Sequence, residues 1–128
     1  MACNILIVDD SATTRAMIKR VIKMSGVPVD LMLEAPDGRV AMQVLEQQPV
    51  DIVLADLHMP EMTGLELTRA MQNNPATKPI PIVIISAEPN MSTIETLKRE
   101  GIRGHLSKPF TPEALRNCLT ELLGVIHA

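Results

Sequence analysis

Five short aliphatic runs punctuate this chain, and after each comes a stretch whose apolar residues recur at helical spacing. The runs fall at 4–8, 29–34, 51–55, 80–85 and 102–107. Short, nearly continuous apolar segments are the pattern of strands buried on both faces, as in a parallel sheet. Strands that alternate strictly with helices require right-handed crossovers, which lay helices over both faces of one sheet. The expectation is an α/β, doubly wound, five-stranded parallel sheet with five helices. The second run is the least uniformly apolar, which places it nearer an edge.

The intervening segments carry their own boundary signals. Ser11 is a plausible N-cap for a helix over 12–24, with Met17, Ile18, Val21 and Ile22 inward and Arg15, Lys19, Arg20 and Lys23 outside. Ser25-Gly26 stops it. Asp37 is a candidate cap for a second helix whose stripe is Val40, Ala41, Val44 and Leu45, ending before Pro49. A third, short helix over 64–72 presents Leu65, Leu67 and Met71. Asn90 can cap a fourth over 91–100, where Ile94 and Leu97 make the thinnest stripe, so this helix is expected to be the least firmly docked. Thr111-Pro112 opens the last helix with Pro at its first position, and Leu115, Cys118, Leu119 and Leu122 form its buried face.

Composition narrows the class further. With 46% hydrophobic residues but one Phe, no Tyr, no Trp and nine Met, the core must be built from Val, Ile, Leu and Met. A length of 128 residues suits one domain spanning 1–128. The net charge of −3 and the lack of a basic run argue against nucleic acid and membrane surfaces. Cys3 and Cys118 have neither metal-like nor redox-motif spacing and read as reduced, packed thiols. Without a signal-like N-terminus or a run of about 20 apolar residues, the chain reads as soluble and cytoplasmic. The last helix ends close to residue 128, which leaves no room for an output domain.

Four of the runs end on polar groups: Asp9-Asp10, Asp56, Ser86 and Lys108. Each alone has an ordinary explanation as a turn former or cap. Together they are more telling, because the carboxyl ends of the strands form the binding crevice of an open α/β sheet. Three carboxylates at one rim repel and raise one another's pKa unless a cation joins them. Oxygen-only ligands favour Mg²⁺, which also recruits phosphate oxygens. A metal site, an ammonium and a hydroxyl converging on a carboxylate suit phosphoryl transfer, with Asp56 on the central strand as acceptor.

The segments Ile7-Val8-Asp9-Asp10-Ser11, Asp56-Leu57-His58-Met59-Pro60 with Gly64, Ser86-Ala87 and Lys108-Pro109-Phe110 resemble those of response-regulator receiver domains. The resemblance covers essentially the whole chain, at the size of a single-domain response regulator. It implies the flavodoxin-like strand order 2-1-3-4-5. It implies that Asp56 is the phosphoacceptor and that Asp9, Asp10, Asp56 and the backbone carbonyl of His58 bind Mg²⁺. It further implies that Ser86 and Lys108 engage the phosphoryl group and that the Lys108-Pro109 bond is cis. The switch position on the fifth strand, usually Tyr or Phe in the family, is His105 here, either a tolerated planar substitute or a group that changes charge near neutral pH. Ile102 is bulkier than expected, and Glu88 and His58 fall at positions that tune phosphoryl lifetime. No pairing of histidines suggests zinc.

The implied function is a two-component signalling switch. It would catalyse only its own phosphorylation and dephosphorylation, take phosphate from a histidine kinase or phosphotransfer protein, and bind an unknown protein target through the face of helix 4, strand 5 and helix 5. Chemotaxis, a phosphorelay and other pathways are all compatible. A phosphorylation-independent interaction domain of the same fold and a receiver cut from a larger hybrid protein are the alternatives. An aspartyl-phosphate hydrolase fits less well, since position 58 is His where a second acid is expected.

Overall fold

The computed structural model describes residues 2–59, 62–87 and 91–124. The elements are β1 (Cys3–Val8), α1 (Ala12–Ser25), β2 (Val29–Ala35), α2 (Gly38–Gln47), β3 (Ile52–Asp56), α3 (Gly64–Gln72), β4 (Ile82–Ser86), α4 (Met91–Glu100), β5 (Gly104–Ser107) and α5 (Pro112–Leu123). The five strands form one sheet in the order β2-β1-β3-β4-β5, and every pairing is parallel. The doubly wound expectation therefore holds, and β2 is an edge strand with much of its length exposed.

Alternation along the strands divides the core in two. Leu6, Val8, Val53, Ala55, Ile82 and Ile84 face α2, α3 and α4, meeting Ala41, Leu45, Leu67, Met71 and Leu97. Ile5, Ile7, Ile52, Leu54, Val83 and Ile85 face α1 and α5, meeting Ile18, Ile22, Leu115 and Leu119. Both faces of β1, β3 and β4 are thus covered, in keeping with the uninterrupted apolar runs 5–8, 52–55 and 82–85 within them.

Three helix starts follow the sequence signals, at Ser11, Asp37 and Thr111, and the cap at Thr63 is one that the sequence reading did not single out. Ser11, Asp37, Thr63 and Thr111 each accept a backbone N–H from the first turn of α1, α2, α3 and α5. The cap expected at Asn90 lies outside the described residues. Three expectations need correction. Met17 is 59% exposed, so it is not part of the inward stripe of α1. β4 starts at Ile82, because Thr77 to Ile80 close a turn in which Ile80 N–H donates to Thr77 C=O. β5 starts at Gly104, because Ile102 belongs to the end of α4.

There, Gly101 takes φ 119°, its N–H reaches Lys98 C=O, and Ile102 N–H reaches Leu97 C=O. This is a Schellman ending, and Ile102 packs in the same buried cluster as Leu97. The bulk of Ile102 thus closes α4 over the sheet. Only Ile94 and Leu97 of the described α4 side chains are buried, in keeping with the thin stripe. No helix among the described residues is long and apolar enough to cross a membrane.

Candidate metal centre

The register brings the strand ends to one level. Val8 aligns with Ala55, Asp56 with Ile85, and Ser86 with Ser107, so Asp9, Asp56, Ser86 and Lys108 leave the sheet along one rim. Carboxylate oxygens of Asp9, Asp10 and Asp56 lie within 4.8 Å of one another. Lys108 Nζ sits between two of them, 3.6 Å from Asp9 and 3.7 Å from Asp56. The backbone fixes that approach, since Lys108 N–H donates to Ser86 C=O at 2.8 Å. The Lys108-Pro109 peptide is cis, as the resemblance implied.

Asp9 is nearly enclosed, its side chain 3% exposed. One oxygen accepts Ser11 N–H at 2.8 Å. The other, Oδ2, is buried with no hydrogen-bond partner, and the Lys108 ammonium that faces it stands 3.6 Å away, beyond hydrogen-bond reach. A buried carboxylate oxygen is costly without a donor or a cation, and the neighbouring donor set consists of oxygen alone. These residues fit a hard divalent ion such as Mg²⁺. Asp10 is exposed at the rim.

The ionisation of Asp56 is disturbed. Burial of a side chain only 14% exposed lifts its pKa above the ordinary carboxylate value, and the charge of Asp9 lifts it further. The Lys108 ammonium and the N–H groups of His58 and Leu57 pull the other way. The shift is therefore mainly one of burial and not of the crowding of like charges that the sequence suggested, since the attraction of Lys108 outranks the repulsion from Asp9. The imidazole of His58 is exposed.

The segment after Asp56 is held by close packing. Gly64 N–H closes onto Leu57 C=O at 2.9 Å, and a Cβ at Gly64 would come within 2.7 Å of the Asp56 carbonyl oxygen. Thr63 and Glu66 make a reciprocal capping box. Met59 is buried in the core, and Met62 lies so close over Gly38 that a Cβ there would meet its sulfur at 2.6 Å.

Ser86 does not face Asp56 with a free hydroxyl. Its side chain is buried, and Oγ lies 2.9 Å from His105 Nε2. Burial, reinforced by the charge of Lys98, lowers the pKa of His105, so the ring in this pair is neutral at pH 7. The two residues expected to switch together are already joined by one hydrogen bond. Glu88 lies outside the described residues.

Sequence reasoning missed Arg15, read there as an outward charge. Its guanidinium donates to the carbonyl of Asp9 and to Glu34 Oε1, the latter at 2.9 Å. Nothing in helical spacing marks it, because the contact depends on how β1 and β2 lie beneath α1. Between α1 and the loop after β5 an open apolar groove of about 420 Å³, lined by Met17, Ile18, Val21, Ala87, Pro109 and Phe110 among others, flanks the cluster.

The model of the response regulator receiver domain family matches residues 5–120. A chemotaxis protein CheY homolog of Campylobacter jejuni is 34% identical over 122 residues, covering 94% of this chain and 92% of that protein. The structure of chemotaxis protein CheY4 of Vibrio cholerae superposes with a TM-score of 0.83 at 32% identity, covering 96% of this chain and all of that one. The receiver domain of a sensor histidine kinase from Pseudomonas aeruginosa, solved with a magnesium ion coordinated in its active-site cleft, gives a TM-score of 0.82 at 26% identity, over 98% of this chain and 100% of that one.

Proposed function

We propose that this chain, which belongs to the response regulator receiver domain family, is a phosphorylation-activated switch of a two-component system, with Asp56 as phosphoacceptor. One observation carries this reading above the others. Asp56 ends the central strand inside an acidic triad while Lys108 Nζ stands 3.7 Å from its carboxylate. A carboxylate so placed needs little else for phosphoryl transfer, where positioning and charge neutralisation dominate.

A carboxylate oxygen of Asp56 attacks the phosphorus of a phosphohistidine on a kinase or phosphotransfer protein. The O–P bond forms as the P–N bond breaks, and the electron pair stays on the departing imidazole. Lys108 neutralises charge on the transferred group. Asp9, Asp10, Asp56 and the backbone carbonyl of His58 would hold Mg²⁺, which would supply neutralisation of the phosphoryl oxygens. The protein catalyses only this transfer and the later hydrolysis on itself. We place it in the cytoplasm, as one receiver domain over 1–128, where such donors operate. The open groove beside Lys108 offers the donor an apolar resting place.

Phosphorylation adds close to two negative charges. The Ser86 hydroxyl then has phosphoryl oxygens to donate to, and giving up its bond with His105 frees the imidazole to reorient against α4. The faces of α4, β5 and α5 change together, and a protein target reads the difference. Differential stabilisation of a few kcal/mol is enough for such a population shift.

Intact-mass spectrometry after incubation with Mg²⁺ and a small phosphodonor tests the chemistry. A single phosphoryl adduct that needs Mg²⁺ and is lost in Asp56→Asn is the expected result. No adduct under any donor, including a phosphorylated kinase, would instead favour a phosphorylation-independent interaction domain.

A further inference from the structure

Three carboxylates drawn within 4.8 Å of one another would rotate apart in the absence of a cation unless something holds the turn that carries them. Asp9 is held at every backbone position. Its N–H donates to Ala35 C=O at 3.1 Å, and its carbonyl accepts from Arg15 Nη1. Asp9 Oδ1 accepts Ser11 N–H, which leaves Oδ2 as the oxygen turned to the cluster. The Arg15 donor therefore fixes the peptide between Asp9 and Asp10, and that peptide sets where the Asp10 carboxylate stands.

The guanidinium is itself aimed. Glu34, near the end of β2, takes Arg15 Nε with one oxygen and Lys19 Nζ with the other, at 2.9 and 3.1 Å. A bare cation this close would oppose a second one arriving at the acidic rim. Glu34 cancels much of that charge while leaving Nη1 free to donate. The planar fork of Arg serves two acceptors in fixed directions, which an ammonium cannot reproduce.

We propose that Arg15, oriented by Glu34, is a positioning residue that presets the Asp9-Asp10 turn for a divalent cation; this rests on the receiver reading above. Outer residues that orient metal ligands typically change affinity by about 10–100-fold when removed. The clamp acts before any metal arrives, so it is visible in the metal-free protein.

The test is calorimetric titration with MgCl₂ of the parent, Arg15→Gln, Arg15→Lys and Glu34→Gln. It is paired with amide hydrogen exchange at Ser11 in metal-free buffer and circular dichroism to establish folding. Both Arg15 variants should bind Mg²⁺ roughly tenfold more weakly, with faster exchange at Ser11 and a retained fold. Glu34→Gln should fall between parent and Arg15→Gln. Rescue by Arg15→Lys to parental affinity would reduce the role to charge and overturn the clamp, as would affinities within twofold of parent in a folded Arg15→Gln. A parent that takes up no Mg²⁺ would overturn the receiver reading itself. Should Arg15→Gln fail to fold, Glu34→Gln decides, and parental affinity with parental exchange there overturns the proposal.

Discussion

The two flanks that meet at Asp56 are built differently. On the α1–β2 side, Glu34 ties Arg15 and Lys19 together, Arg15 ties down the Asp9 carbonyl, and Ser11 both caps α1 and binds Asp9. On the α4–β5 side, among the described residues, Ser86 and His105 are joined by one hydrogen bond. There α4 rests on Ile94, Leu97 and a largely exposed ion pair between its Glu100 and Arg69 of α3. Redundant polar contacts leave a group one arrangement. A lone neutral hydrogen bond, worth about 1 kcal/mol net, is readily exchanged for a better acceptor. The first flank is suited to holding a cation and the second to changing state.

Removing the main anchor of the second flank should have the largest effect. Leu97→Ala is expected to lower stability by about 3 kcal/mol in urea denaturation, with amide exchange rising first in α4. Uniform acceleration across α1 and α4 would mean that the flanks are one cooperative unit, and the contrast would fail.

A smaller effect is expected at the meeting line. The folded pKa of Asp56 lies above its unfolded value. Its contribution to stability is therefore complete below the unfolded pKa and is lost as pH rises through the folded one. Asp56→Asn should raise the melting temperature by a few °C at pH 7 without Mg²⁺, and the gain should shrink toward acid pH. A neutral or destabilised variant would show that the attraction of Lys108 already outweighs burial and the repulsion from Asp9.

The smallest effect tests the exchangeable bond. The folded pKa of His105 is lowered, so its contribution is complete above the unfolded value near 6.5 and is lost as pH falls through the folded one. Phosphoryl lifetime on Asp56, measured at pH 6 and pH 8, should therefore differ more in the parent than in His105→Tyr, by a few-fold. Equal pH dependence in both proteins would leave His105 a planar spacer.

Much of this was legible beforehand because it depends on periods and positions along the chain. Uninterrupted apolar runs in β1, β3 and β4 require cover on both faces, and strict alternation with helices then allows little but a doubly wound parallel sheet. Acids, a hydroxyl and a lysine at the ends of parallel strands must share one rim. That reasoning, with the motif resemblance, brought Asp9, Asp10, Asp56, Ser86 and Lys108 together. It failed where a side chain reaches across elements. Met17 fits a helical stripe yet faces an open groove, and Ile102 reads as strand yet closes α4.

The sequence by itself determined the sheet, its two covered faces and the identity of the rim. Only the tertiary structure decided that Arg15 is held by Glu34 over the Asp9 carbonyl and that Ser86 is bonded to His105. The physical reason is range. Burial patterns repeat every two or three to four residues and can be counted along a chain, whereas those hydrogen bonds depend on distances and angles set by how β2, α1, β4 and β5 settle against one another.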